Sequence, residues 1–176
     1  MVDAIKYSLL IGQVPLRDVF NNPDKIRTGV VFDSFARGLV MVPMEQNDNT
    51  IAEEVVHHLF EMKQKKFSGL DLAAINIHRG RDHGLSGYNK FREFCGRGRA
   101  TEWRDLDNDI PGSGINKLQS VYMHPDDVDL FPGLLMEKKV PGGIVGPTLG
   151  CILATQFNNL RQCDRYLRTL IFVIKI

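Results

Sequence analysis

Long apolar runs are scarce in this 176-residue chain, and their shortness excludes two classes at once. The run Tyr7-Ser8-Leu9-Leu10-Ile11, with only Lys6 close before it, is shorter than the apolar core of a secretory leader. The run Leu170–Val173 stays far below membrane-spanning length even with Ile174-Lys175-Ile176 added. Neither a visible leader nor a membrane span is expected. Charge of one sign is also lacking: 22 Lys and Arg face 21 Asp and Glu, a net charge of +1. No global field therefore argues for nucleic acid or an acidic membrane. The basic Gly96–Arg99 run, GRGR, is too short to alter that and reads as a solvated loop. With three cysteines the chain is compatible with one bridge and one thiol left over, or with three reduced cytosolic thiols. No CxxC, HExxH or EF-hand pattern occurs, and no glycine-rich phosphate loop follows a strand.

The composition fits a soluble globular piece: 43% hydrophobic and 24% charged residues, enough for one domain with a real core. The periodicity is mainly helical. A turn is expected at Asn21–Asp24. Thr50 and Glu53 form a capping-box pattern, which predicts a helix running to about Lys65. Its buried face would carry Ile51, Val55, Leu59 and Met62, with Val56 and Phe60 beside them. His57 and His58 are adjacent, diverge by about 100° on a helix, and are read as surface or boundary residues rather than a metal pair. A helix is predicted from about Asp71 to Arg79, with Gly80 and Gly84 interrupting the chain after it. Further helices are predicted from Ser86 or Gly87 to Gly96 and from Ser113 to Tyr122. Thr101–Gly114 reads as a polar, broken segment. Asp126, Asp127 and Asp129 read as helix-start charges. Pro147 suits a first helical position, and Leu149, Ile152, Leu153, Gln156, Phe157 and Leu160 give a strong helical period.

The richest segment is Asp71–Gly84, DLAAINIHRGRDHG. Residues three and four apart are helical neighbours, so Leu72, Ile75, Asn76 and Arg79 form one continuous stripe. An amide and a guanidinium on an otherwise apolar face would suit a flat ligand with an apolar body and an anionic edge. His78 lies about 200° from Asn76 and looks away from the stripe. Any one of these charges alone is ordinarily a solvated helix end. Arg81, Asp82 and His83 crowd the end of the helix, where a local Arg–Asp pair locking the next loop is expected.

The whole run nevertheless resembles the animal haem peroxidase family. The resemblance covers Val14 to Tyr166 and rests on VPLRDVF, FARGLV, LDLAAINIHRGRDHGLSGYNKFREFCG, VDLFPGLLMEKKVPGGIVGPTLGCILATQFNNLR and the Asp164-Arg165 pair. It implies a mainly α fold, the C-terminal portion of the family's helical domain. Residues 1–13 would then be a divergent N-terminal segment, 14–166 a partial peroxidase domain and 167–176 a divergent apolar tail.

For the site, the resemblance implies haem in the complete domain. Asn76 would accept a hydrogen bond from the ring N–H of the histidine that ligates iron. Arg79 would pair with a haem propionate, and Leu72 and Ile75 would line the macrocycle. No catalytic residue is expected within the chain itself. The family's proximal and distal histidines, the distal arginine and the calcium loop belong upstream of the matching part. His83 is assigned a structural role. His78 stands where the family usually has glutamine. Cys95 and Cys151 match the family's bridged pair, whereas Cys163 replaces a usual glycine and is expected as a free, buried thiol. The implied parent enzyme reduces hydrogen peroxide and oxidises halide, phenolic or tyrosyl donors in an extracellular setting. The alternative is a non-catalytic, peroxidase-like adhesion or binding protein, or a truncated isoform. Either way, this portion is expected to need the N-terminal part of the domain.

Overall fold

The computed structural model describes residues 15–27, 29, 31–164 and 166, and they are mainly helical. The expected divergent segments 1–13 and 167–176 lie outside the described residues. The helices are α1 (Val31–Met41), α2 (Glu53–Val56), α3 (Leu72–Asp82), α4 (Tyr88–Phe94), α5 (Gly112–Gln119), α6 (Leu130–Met136) and α7 (Pro147–Cys163), with short 3-10 turns between them. The chain divides into two compact units, Met1–Arg79 and Gly80–Ile176.

In the first unit, α1 packs against the 3-10 turn Pro23–Arg27, and α2 against the turn Leu16–Asp18. Arg17 ties that second pair together. Its backbone N–H and guanidinium Nε both donate to the Glu54 carboxylate at 2.9 Å. The helix predicted from Thr50 to about Lys65 is here a single turn, capped by Ala52 rather than by a Thr50 box. A non-local contact displaces it. The Leu70 N–H donates to the Leu59 carbonyl at 2.9 Å in an isolated antiparallel bridge. Gly69 lies so close to the backbone of His57 that a Cβ there would stand 1.9 Å from the His57 carbonyl oxygen. The chain therefore folds back on itself as a 57–70 loop. Leu59 is buried as expected, but Phe60 and Met62 are exposed. Phe60, in a left-handed conformation with φ of 55°, meets Phe20 edge-to-face at 5.4 Å.

In the second unit, Gly87 caps α4 and Gly96 (φ +73°) lies just beyond its end, as the spacing predicts. Tyr88 centres the core with Ala100, Leu106, Ile110, Ile115, Leu118 and Val128. Thr101–Gly114 is thus a core-forming segment rather than a merely polar connection: it supplies Leu106 and Ile110, both fully buried. Gly133 lets α6 approach the Tyr88 ring, where a Cβ would stand 2.3 Å from Cγ. Pro147 opens α7 as predicted, with Gly146 at its N-cap. Two links fasten α7 to α4. One is the Cys95–Cys151 disulfide, 56 residues apart in sequence. The other is buried Glu137, which accepts the Tyr88 hydroxyl at 2.8 Å and the Thr148 N–H at 3.0 Å. Because Thr148 is the second residue of α7, this carboxylate caps the helix from outside it. Cys163 is free but exposed, not buried, because it lies on the open C-terminal half of α7.

Candidate functional site

Asp71 starts α3 as an N-cap: its carboxylate accepts the N–H groups of Ala73 at 2.8 Å and Ala74 at 3.1 Å. The helix continues past Arg79 to Asp82, so Gly80 does not interrupt it. Gly84 stops it. Its φ of +65° allows paired bonds from Gly84 N–H to the Arg81 carbonyl at 3.1 Å and from Leu85 N–H to Gly80 at 2.9 Å. This is a Schellman closure, with the C′ and C″ amides satisfying the helix's last carbonyls.

No residue of α3 is buried. Leu72, Ile75 and Asn76 are each half-buried, whereas Arg79 and His78 are exposed. The side-chain amide of Asn76 makes no hydrogen bond among the described residues. α3 therefore carries the stripe Leu72, Ile75, Asn76 and Arg79 on one helix, as its spacing requires.

The charges at the end of α3 behave differently from expectation. Arg81 pairs with Asp129, 48 residues away, and not with Asp82. Its Nε donates at 2.9 Å and its terminal nitrogen at 2.6 Å, a two-pronged contact. The Tyr122 hydroxyl adds a third bond to Asp129 at 2.8 Å. Arg81, and then Tyr122, hold the Asp129 carboxyl below the usual range against the opposing effect of burial. Asp129 does occupy the N-cap position of α6, but its side chain makes no capping bond. His83 is exposed and lies 3.6 Å from the Asp82 carboxylate.

Sequence reasoning missed the polar core of the second unit. Arg92 is only 5% exposed. Its Nε and a terminal nitrogen donate to Asp109 at 3.0 and 2.7 Å, and it also donates to the carbonyls of Gly98 and Asp105. Arg97 reaches the other Asp109 oxygen. Burial tends to raise the Asp109 carboxyl, but the bonds from Arg97 and Arg92 outweigh it and leave it below the ordinary value. Arg99 pairs with Asp126 at 2.7 Å, and Asn89 joins Asp126 to the Ala100 carbonyl. The GRGR run is thus exposed yet pinned by its arginines. The acids read as helix-start charges do sit at helix starts, Asp126 and Asp127 in the turn Pro125–Asp127 and Asp129 at the N-cap of α6, but only Asp127 bonds a start amide, accepting the His124 N–H at 2.9 Å. The aspartates that meet these arginines carried no local signal, because each pair is distant in sequence.

Residues 3–170 match the family model described as animal haem peroxidase. The chain is 40% identical over 157 residues to a peroxidase of Drosophila melanogaster, covering 89% of this chain and 22% of that protein. It is 38% identical over 158 residues to thyroid peroxidase of Sus scrofa, covering 88% of this chain and 17% of that protein. Among solved structures it is similar to peroxidase A from Dictyostelium discoideum. There the identity is 30% and the TM-score 0.77, over 94% of this chain and 31% of that one. The chain spans less than a quarter of the length of these curated relatives. Match, fold and motif agree: this chain belongs to the animal haem peroxidase family.

Proposed function

We propose that this chain supplies the proximal side of a haem pocket, with α3 as the element that faces the macrocycle. One observation carries the reading. In a chain of this family, α3 holds Leu72, Ile75 and Asn76 partly open on a helix with no buried residue, and the Asn76 amide has no partner among the described residues. That donor set fits haem, whose body is apolar and whose edge carries carboxylates.

Leu72 and Ile75 would line the ring. The Asn76 carbonyl would accept the N–H of the iron-ligating histidine, fixing its tautomer and strengthening its donation. Arg79 would hold a propionate with a planar, always-charged fork. When bound, haem supplies the redox-active iron through which peroxide oxidises halide, phenolic or tyrosyl donors. Iron ligation and proton transfer at the peroxide are assigned to parts of the domain outside this chain. His78 and His83 are given no catalytic part. The Cys95–Cys151 bridge supports assembly in an oxidising, extracellular compartment. No helix among the described residues is long and apolar enough to cross a membrane.

The reading predicts that the purified chain with added hemin turns over peroxide no faster than free hemin. Joined to the remainder of the domain, it should acquire saturable peroxidase activity. Robust activity of the chain alone, abolished by replacing a single histidine, would contradict the assignment.

A further inference from the structure

The 57–70 loop of the first unit encloses one wall of an open pocket of about 390 Å³ that shares no residue with the α3 stripe. Small-molecule sites commonly span roughly 300–1,000 Å³, so the volume is that of a small organic ligand. The opposite wall is Arg17 and Asp18, on the turn Leu16–Asp18 that faces α2.

The loop is framed from within. Glu61 accepts both its neighbours: the His58 ring nitrogen lies 2.6 Å from one carboxylate oxygen, and the Phe67 N–H donates to the other at 2.8 Å. Met62 N–H donates to the Ser68 hydroxyl at 3.0 Å. Arg17 is held by Glu54. These groups are therefore occupied in building the walls. The groups left facing the pocket are different in kind. Lys63 and Lys66 line it with their ammonium groups unpaired among the described residues, and Asp18 is the one lining carboxylate without a side-chain partner. Lys63 and Lys66 are thus the lining cations not already tied to a carboxylate. Beside the lysines, Met62 is exposed and Phe67 is 94% exposed. Phe67 has a φ of +63°, a conformation non-glycine residues adopt rarely and at a cost, here fixed by its bond to Glu61.

We infer that this pocket is a binding site for a small organic monoanion with an apolar body, an aryl or alkyl carboxylate. The head would sit between Lys63 and Lys66, and the body against Met62 and Phe67. Two ammonium groups offer one carboxylate its partners, the Asp18 and Glu61 carboxylates in the same lining disfavour a more highly charged anion, and the exposed phenyl gives the ligand an apolar surface to cover.

The test is ligand-observed fluorine NMR on the folded, monomeric fraction of the full chain. The probes are 4-(trifluoromethyl)benzoate and its uncharged isostere 4-(trifluoromethyl)benzyl alcohol. The benzoate should bind saturably, and the alcohol about tenfold more weakly or worse. The double variant Lys63→Glu/Lys66→Glu should weaken benzoate by at least about tenfold. Lys63→Arg/Lys66→Arg should retain binding, as should Lys90→Glu, a charge reversal on α4 in the other unit. Circular dichroism confirms that each variant is folded. Equal binding of acid and alcohol, unchanged affinity in the Glu variant, or absence of saturation would overturn the inference. So would sedimentation with phosphatidylserine vesicles without benzoate binding, which would assign the lysines and Phe67 to a membrane surface instead.

Discussion

Helices α3 and α4 are consecutive in the chain, and both carry an amide among apolar residues, yet they use it in opposite ways. On α4, Tyr88, Asn89 and Arg92 are buried and meet partners within the second unit: Glu137, Ala100 and Asp126, and Asp109. On α3 no residue is buried, and the Asn76 amide meets no partner among the described residues. A buried polar group is tolerated only when it is satisfied, so the α4 set has to be structural. Asn76 is under no such demand from the fold. It is therefore the better candidate for contact with something outside the chain. Chemical type does not separate Asn76 from Asn89; satisfaction does.

The comparison breaks first at Asp109. Asp109→Asn leaves Arg92 buried without its counter-charge, and such a loss costs about 3–5 kcal/mol. Chemical denaturation should show the second unit destabilised by that amount, whereas a change within about 0.5 kcal/mol would mean that α4's charges are not needed for folding.

The disulfide comes next. A bridge spanning 56 residues constrains the unfolded chain by roughly 4 kcal/mol in the chain-entropy model. Cys95→Ser/Cys151→Ser should lower the denaturation midpoint accordingly. Peptide mapping without reductant, on secreted material, should find Cys95 joined to Cys151 and Cys163 free. A bridge to Cys163 would contradict the structure.

A smaller effect is expected with pH. The Asp109, Asp126 and Asp129 carboxyls are all held below their ordinary values, Asp126 chiefly by Arg99 and Asp129 chiefly by Arg81. A depressed folded value means the unfolded chain takes up protons first. The stabilisation is complete above the ordinary carboxylate range and is lost as pH falls through the lowered values. Urea midpoints should be level near neutrality and decline below about pH 4, less steeply in Arg81→Ala. A decline that begins at neutrality would implicate other groups.

Legibility in the sequence tracks the range of the interactions. Local signals read correctly: Pro147 opening α7, Gly87 and Gly96 bounding α4, and the spacing that sets the α3 stripe. Cys95–Cys151 came through the family resemblance, not through spacing. The 50–65 helix failed because its rival is non-local: Leu70 pairs back on Leu59, and Gly69 must slide against His57. Arg81, read as part of a local Arg–Asp pair, misled for the same reason, and the burial of Arg92 drew no expectation at all. Nothing near either announces an Asp129 or an Asp109 many residues on. The α7 positions that gave the strong period, Leu153, Phe157 and Leu160, are exposed, so helical period identified the helix without identifying what covers it.

The proposal that Asn76 and Arg79 of α3 serve a ligand is tested most directly by three variants in a protein carrying this chain with the rest of the domain. Asn76→Ala should leave haem bound and stability unchanged, shift the Soret band, and lower turnover by about 10–100-fold. Arg79→Ala should instead loosen haem, at a cost on the order of 1–3 kcal/mol. His78→Gln should be nearly silent in haem occupancy, Soret position and turnover. Damage confined to His78→Gln, with Asn76→Ala and Arg79→Ala benign, would contradict the account.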